Sequence, residues 1–178
     1  MRDSFKRLPS QLEWIFPAII VFCTYLFFHS KGLSLILIFL TILIILNGWI
    51  SSHASSEIYS DFLLITDTFI IAIYICLALS LQNFTTIGLT ASYWFYSSAL
   101  CFAYMLWDII FFFMLKDEDW KKKFITYIVL MGVYSVLFLT LAIFKQKELI
   151  HDIALIIIGS ILWLSVLIKW HWDKLRGN

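Results

Sequence analysis

Six long apolar runs constrain this chain more than any other feature of its sequence. Each run is 17 to 24 residues long, and about 20 apolar residues suffice for a helix to cross the hydrocarbon core of a bilayer. The runs are continuous and lack the alternation of barrel strands, so each predicts a helix. They are Trp14–Ser30, Leu33–Ile50, Asp61–Gln82, Ser92–Leu115, Phe124–Phe144 and Ile150–Trp170.

The composition excludes an ordinary soluble domain. Hydrophobic residues make up 62% of the chain and charged residues 14%, whereas soluble domains average about 45–50% and about 25%. We therefore predict an all-α polytopic membrane protein, a bundle of six transmembrane helices that forms one domain over residues 1–178. The first two runs are short and are joined only around Lys31 and Gly32, so a re-entrant hairpin is the alternative there.

The basic residues predict the orientation of the bundle. Ten of the 13 precede the first run, lie between the fourth and fifth, or lie at or after the end of the sixth. Cytoplasmic loops carry the excess of lysine and arginine, so we expect both termini in the cytoplasm. Tryptophan favours the membrane interfaces. We expect Trp94 at the outer interface and five others at the inner one: Trp14, Trp49, Trp120, Trp170 and Trp172.

Two acidic residues lie inside predicted spans, where a charge costs about 2.5–3.5 kcal/mol at the bilayer centre. Asp67 in the third span and Asp108 in the fourth are expected at similar depth near the cytoplasmic side. Tyr74 and Tyr104 lie outward of them on the same spans. These four residues are our candidate intramembrane polar site. One interpretation is a functional site that holds a proton or a cation. The alternative is a structural role, in which the aspartates are neutral or hydrogen-bonded and fix only the helix register.

Small residues recur every four positions on the same two spans and predict that these helices pack closely. The third span carries one such stripe and the fourth span another. Their members are Thr68, Ala72, Cys76 and Ser80 on the third span, and Ala99 and Ala103 on the fourth.

The predicted cytoplasmic loop from Lys116 to Lys123 is the candidate docking surface. Its lysines would touch anionic lipid headgroups, or Trp120 with Lys121, Lys122 and Lys123 would bind a cytoplasmic protein. The outer connections are short, so a soluble partner is expected on the inner side.

Metal and cofactor chemistry is weakly indicated. His53, Glu57 and Asp61 recur at intervals of four and are weak metal candidates, but the serine-rich stretch around them favours a solvated turn with Asp61 as a helix cap. The cysteines lie inside predicted spans without metal-ligand spacing. We expect no cofactor.

Three functional classes remain open. The first is a non-enzymatic membrane subunit that self-associates, senses at or anchors to the bilayer, and recruits a cytoplasmic partner. The second is a proton- or cation-linked channel or small transporter that uses Asp67 and Asp108. The third is an intramembrane enzyme, for which the sequence offers no paired catalytic groups; we therefore expect no enzymatic activity. The expected partners are lipid, further copies of the chain and a cytoplasmic protein, and not nucleic acid.

Residue usage also bears on the source. The chain has 17 phenylalanines and only six glycines and two prolines, which is typical of an AT-rich gene. Such genes are frequent in mobile bacterial islands that carry phage-defence and immunity systems. We therefore expect a bacterial inner-membrane protein from an accessory system of this kind.

Overall fold

Six α-helices account for almost all of the residues that the structure describes. A computed structural model describes residues 14–54, 61–114 and 118–175. The helices are α1 (Ile15–His29), α2 (Ser34–Ala54), α3 (Asp61–Ile87), α4 (Ala91–Met114), α5 (Glu118–Gln146) and α6 (Asp152–Leu175). The all-α prediction is confirmed for this part of the chain.

Four of these helices are long and apolar enough to cross a membrane, judged by length and composition. The candidate spans are Ile65–Thr86, Ala91–Met114, Phe124–Gln146 and Asp152–Lys169. The other two apolar helical stretches, Ile15–His29 and Ser34–Gly48, are shorter. Fifteen residues of helix rise only about 22 Å, whereas the hydrocarbon core is about 30 Å thick. The described residues thus support a membrane protein with at least four candidate spans.

Consecutive helices pack against one another along the whole chain. In addition, α1 contacts α3, and α2 contacts α6, which brings the first half of the chain beside the last helix. The most extensive contact joins α4 to α5. As a result α2 and α4 both present side chains to the centre of the bundle.

Hydroxyl groups link several helix pairs inside the bundle. Thr41 of α2 and Tyr93 of α4 are hydrogen-bonded at 3.0 Å, and Tyr134 of α5 and Ser165 of α6 at 2.6 Å. Ser98 donates to the backbone carbonyl of Ser135 at 2.7 Å, and Ser135 donates back to the carbonyl of Ser98 at 3.1 Å. Such bonds average about 0.6 kcal/mol each in membrane proteins, so they fix helix register more than they determine stability.

Trp94 lies near the start of the candidate span Ala91–Met114, and its ring is directed into the bundle. Its side chain is fully buried, stacks on Phe138 of α5 with ring centroids 6.2 Å apart, and packs edge-on against Tyr93 at 4.8 Å. Gly159 of α6 leaves the space into which the far edge of the indole fits. Trp94 is therefore a central packing residue between three helices.

The connection between α5 and α6 is closed by an ion pair. Lys145 Nζ lies 2.6 Å from a carboxylate oxygen of Asp152, the first residue of α6. Between them Glu148 takes a left-handed conformation with φ 52°, in which backbone N–H groups bond back to the last carbonyls of α5. This pairing holds the adjoining ends of α5 and α6 together.

Candidate functional site

The centre of the bundle contains a pair of hydrogen-bonded tyrosines. The three-residue connection between α3 and α4 makes these packed helices antiparallel, so Tyr74 in α3 meets Tyr104 in α4. Their hydroxyl oxygens are 2.7 Å apart. Tyr74 is fully buried and also donates to the backbone carbonyl of Ile44 in α2 at 3.3 Å. Either hydroxyl can donate in the bond between the two tyrosines.

Gly48 of α2 makes room for this pair. A Cβ atom at position 48 would lie 2.5 Å from the hydroxyl oxygen of Tyr74 and 2.8 Å from that of Tyr104. Both distances are too short for any side chain to be accommodated without movement. We call the group formed by Tyr74, Tyr104, Gly48 and the Ile44 carbonyl the tyrosine junction, and it joins α2, α3 and α4.

The two aspartates lie at one end of the tyrosine junction. Asp67 precedes Tyr74 by seven residues and Asp108 follows Tyr104 by four, so in antiparallel helices both lie on the same side, about 6–11 Å along the axes. Both side chains are half-buried. Both carboxyl groups are near enough to act electrostatically on the Tyr104 hydroxyl. The four sequence-predicted residues therefore share one region, arranged around Tyr104.

Such an arrangement can hold a proton or a small cation. Two carboxylates near one hydroxyl repel each other, and this repulsion falls if one takes up a proton or if a cation lies between them. The hydrogen bonds between Tyr104 and Tyr74, and from Tyr74 to the Ile44 carbonyl, connect this site to α2. The chemistry of these groups is thus acid–base or electrostatic.

The small-residue stripes only partly explain the contact between α3 and α4. These helices do pack together, as predicted. However, Thr68 and Ala72 are exposed on α3, where the buried face is formed by residues such as Ile73, Tyr74 and Leu77. On α4, Ala103 is buried as expected. A stripe of small residues on its own does not reveal which face meets the neighbouring helix.

Gly48 of α2 is not among the residues predicted for the site, and Asn47 was expected only as a possible hydrogen-bond partner of an aspartate. Asn47 is 5% exposed, and its carbonyl oxygen has no hydrogen-bond partner within the described part of the chain. It lines a cavity of about 10 Å³ that Tyr104 and Trp163 also line. The available signal was the Asn–Gly pair itself, which interrupts an otherwise aliphatic run.

The predicted docking loop is helical over its last six residues, 118–123, which corrects the loop prediction. The residues from Glu118 onward, including Trp120 and Lys121–Lys123, form the first turns of α5. Acidic residues at a helix N-terminus are favoured by the helix dipole, which explains an early start at Glu118. Lys121 Nζ lies 6.0 Å from the centroid of the Phe112 ring of α4, and Lys122 is exposed. The side chains of Trp120 and Lys123 lie outside the described residues.

The side chains of the weak metal candidates His53, Glu57 and Asp61 lie outside the described residues. His53 is the penultimate residue of α2, Asp61 is the first residue of α3, and Glu57 lies outside the described residues. Across residues 14–54, 61–114 and 118–175 no group of three or more histidine, cysteine or acidic residues is placed to hold a metal.

Comparison with protein-family models, with curated proteins and with solved structures found no match to this chain. The fold and the site define a helical membrane protein in which two half-buried aspartates lie beside a hydrogen-bonded tyrosine pair.

Proposed function

We propose that this protein is a non-enzymatic, six-span subunit of a bacterial inner membrane, with both termini in the cytoplasm. It self-associates, senses at or anchors to the bilayer and recruits a cytoplasmic protein, as a component of an accessory system such as phage defence or immunity. The observation that carries the proposal is the filled centre of the bundle. Trp94, Phe138, Trp163 and Tyr74 are nearly or fully buried there, and the cavity beside Asn47 has room for about one water molecule.

The N-terminal end of α5, which extends beyond the candidate span, supports the recruitment of a partner. The candidate span of this helix begins at Phe124, whereas the helix begins at Glu118. Six residues of ordered helix therefore extend past the span and carry Trp120 and the lysine triplet. A preformed helix loses less conformational entropy on binding than a loop does.

Charge reversal of Lys121, Lys122 and Lys123 to Glu, combined with Trp120→Ala, is expected to reduce capture of the cytoplasmic partner at least tenfold. The matched control is Lys31→Glu with Lys147→Glu, which changes exposed lysines at the predicted outer side. Quantitative co-purification from the native membrane measures both. Equal capture by the two variants would contradict the proposal that α5 recruits the partner.

Self-association has a candidate surface along α5. Ile125, Val129, Val133 and Val136 are each at least half exposed and follow one another at helical intervals of three and four. Valine and isoleucine in a helix have one strongly preferred rotamer, so their packing against a second copy costs little side-chain entropy. We therefore place the subunit contact on this stripe.

A cysteine at position 133 is expected to form disulfide-linked dimers in the membrane under mild oxidation. The background variant would carry Cys76→Ser, since Cys76 is the cysteine with partial exposure and the other two are buried. Ile157→Cys on α6 is the control, at a position that is also half exposed. Non-reducing gel electrophoresis reads out the dimer. Similar yields at 133 and 157 would indicate random collision and would count against the stripe.

The second candidate function is a proton- or cation-linked channel or small transporter. The observation that favours it is the position of the Tyr104 hydroxyl, which interacts electrostatically with both Asp67 and Asp108 and is hydrogen-bonded to Tyr74. This region extends from one end of α3 and α4 into the centre of the bundle.

Under this second candidate, Asp67→Asn and Asp108→Asn are each expected to reduce proton or cation flux into liposomes at least tenfold. Asp152→Asn is the matched control, because Asp152 pairs with Lys145 away from the tyrosine junction. A pH-sensitive dye inside the liposomes measures proton flux, and an isotope measures cation flux. A parent protein that carries no flux above empty liposomes would exclude this candidate and would leave the membrane subunit.

A further inference from the structure

Aromatic and basic side chains meet where the end of α4 contacts the start of α5. Phe111 of α4 and Phe124 of α5 have ring centroids 5.1 Å apart, so these two helix ends lie at the same level. Lys121 Nζ lies 6.0 Å from the centroid of the Phe112 ring of α4, a distance at which the face of the ring attracts a cation. The ammonium group of Lys121 is therefore held beside the end of α4.

The position of Lys121 along α5 matches the headgroup layer of a bilayer. The candidate span of this helix begins at Phe124, so Lys121 lies three residues before it, which is about 4.5 Å of helix. The headgroup region on each side of the hydrocarbon core is about 5–7 Å thick. Lys122 is the next residue and is exposed. Two lysines at this depth complement the phosphate of a phospholipid, which lysine binds as a point charge.

An exposed apolar stripe on α4 continues from these lysines into the span. Phe95, Phe102, Leu106 and Phe113 are all exposed. They follow one another at intervals of seven, four and seven residues, so they lie on one face of the helix. Phe113 has the largest exposed fraction of the four, 78%, and lies at the end of α4 that Lys121 contacts. An apolar face inside a candidate span is suited to the acyl chain of a lipid.

We propose that one anionic phospholipid binds here, with its phosphate at Lys121 and Lys122 and an acyl chain along Phe113 and Leu106. Charge complementarity selects an anionic lipid, because lysines at a membrane surface are attracted to negative headgroups, whereas a zwitterionic headgroup brings a cation of its own. The chain lies against α4 and leaves the α5 stripe proposed for self-association uncovered. The site goes beyond the proposed function, since it anchors the start of α5 at the membrane surface whether or not a partner protein is bound.

Lipid retention by the purified full-length protein tests this site without any partner. Native mass spectrometry from detergent micelles counts bound lipids after addition of phosphatidylglycerol, or of phosphatidylcholine with the same acyl chains. We expect at least fivefold more of the one-lipid complex with phosphatidylglycerol. Equal retention of the two lipids would overturn the proposal. Glycerol phosphate has the anionic headgroup without acyl chains, and competition by it at equal concentration would show that the ligand is a free phosphate, which would also overturn the proposal.

Substitution of Lys121 tests the polar half of the site. Lys121→Gln is expected to reduce retention of phosphatidylglycerol at least threefold, whereas Lys121→Arg keeps the charge and should retain most of it. Lys147→Gln is the matched control, because Lys147 is exposed in the connection between α5 and α6, and it should leave retention unchanged. Retention that does not fall in Lys121→Gln, or that falls equally in both glutamine variants, would refute the assignment of the phosphate to Lys121.

Substitution of Phe113 tests the apolar half of the site. Phe113→Ala removes the most exposed ring of the stripe and is expected to lower retention of phosphatidylglycerol at least twofold. Phe95→Ala is the matched control, since Phe95 is half exposed on the same stripe but lies near the other end of α4. Both side chains are on the surface, so neither variant requires the interior to repack. Equal retention by the two variants would contradict a lipid bound at the Lys121 end of α4.

Discussion

Gly159→Ala is expected to lower the thermal stability of the protein strongly, by about 3 kcal/mol. The added Cβ would overlap sterically with two ring carbons of Trp94, because both lie far inside van der Waals contact distance. Trp94 has no space into which it can withdraw, because it is fully buried between Tyr93 and Phe138. Thermal unfolding in detergent micelles should show a fall in Tm of several degrees, at roughly 2–4 °C per kcal/mol for a chain of this size.

Gly132→Ala is the matched control for this substitution. It makes the same chemical change inside a helix, but the new Cβ would meet only the Met105 sulfur, at 3.2 Å, and methionine adapts readily. Alanine is also the better helix former by about 1 kcal/mol. The control should be neutral or slightly stabilising. In the Gly159→Ala background, Trp94→Phe should recover part of the loss, and a loss that is the same with either ring would show that Trp94 is not the obstacle.

Gly48→Ala is expected to break the tyrosine junction and to destabilise the protein by about 2–4 kcal/mol. The new methyl group would occupy the space of both hydroxyl groups, at 2.5 and 2.8 Å from their oxygens. The hydroxyls would have to separate, and the buried Tyr74 hydroxyl would lose partners that it cannot replace with bulk water. Thermal unfolding measures the loss, with Gly132→Ala again as the control.

Removal of the hydroxyl groups should rescue Gly48→Ala in part. Tyr74→Phe combined with Tyr104→Phe deletes both clashing oxygens and leaves the aromatic rings in place. We expect the triple variant to be more stable than Gly48→Ala alone, although the double tyrosine variant by itself should be less stable than the parent. If the triple variant is less stable than Gly48→Ala, the steric account of Gly48 is incorrect.

The sequence was sufficient to predict the helices and the pairing of α3 with α4, but not the orientation of their faces. Long apolar runs separated by polar residues leave few alternatives to helices in lipid, so their number and approximate bounds are predictable. Hydropathy is nearly uniform around such a helix, so it does not distinguish a face toward protein from a face toward lipid. Thr68 and Ala72 illustrate this, because both were assigned to a contact and both are exposed.

Features that depend on distant parts of the chain could not be predicted. Trp94 fits the rule for interfacial tryptophans, and only the proximity of Gly159, 65 residues later in the sequence, explains its burial. The tyrosine junction likewise requires Gly48 and the Ile44 carbonyl, which have no chemical signature of a site. The polar residues of the site were predictable because such groups are rare in membrane spans and can be recognised from the sequence alone. They are Asp67, Asp108, Tyr74 and Tyr104.

The length of α5 has a mechanical consequence. Its 29 residues form one uninterrupted helix, a rod of about 43 Å. If a protein bound to the end at Glu118 tilted this rod by about 10°, the opposite end would move through roughly 7 Å. The ion pair between Lys145 and Asp152 would pass that displacement to α6. Force applied on one side of the bilayer would thus be converted into movement on the other, without any solute crossing it.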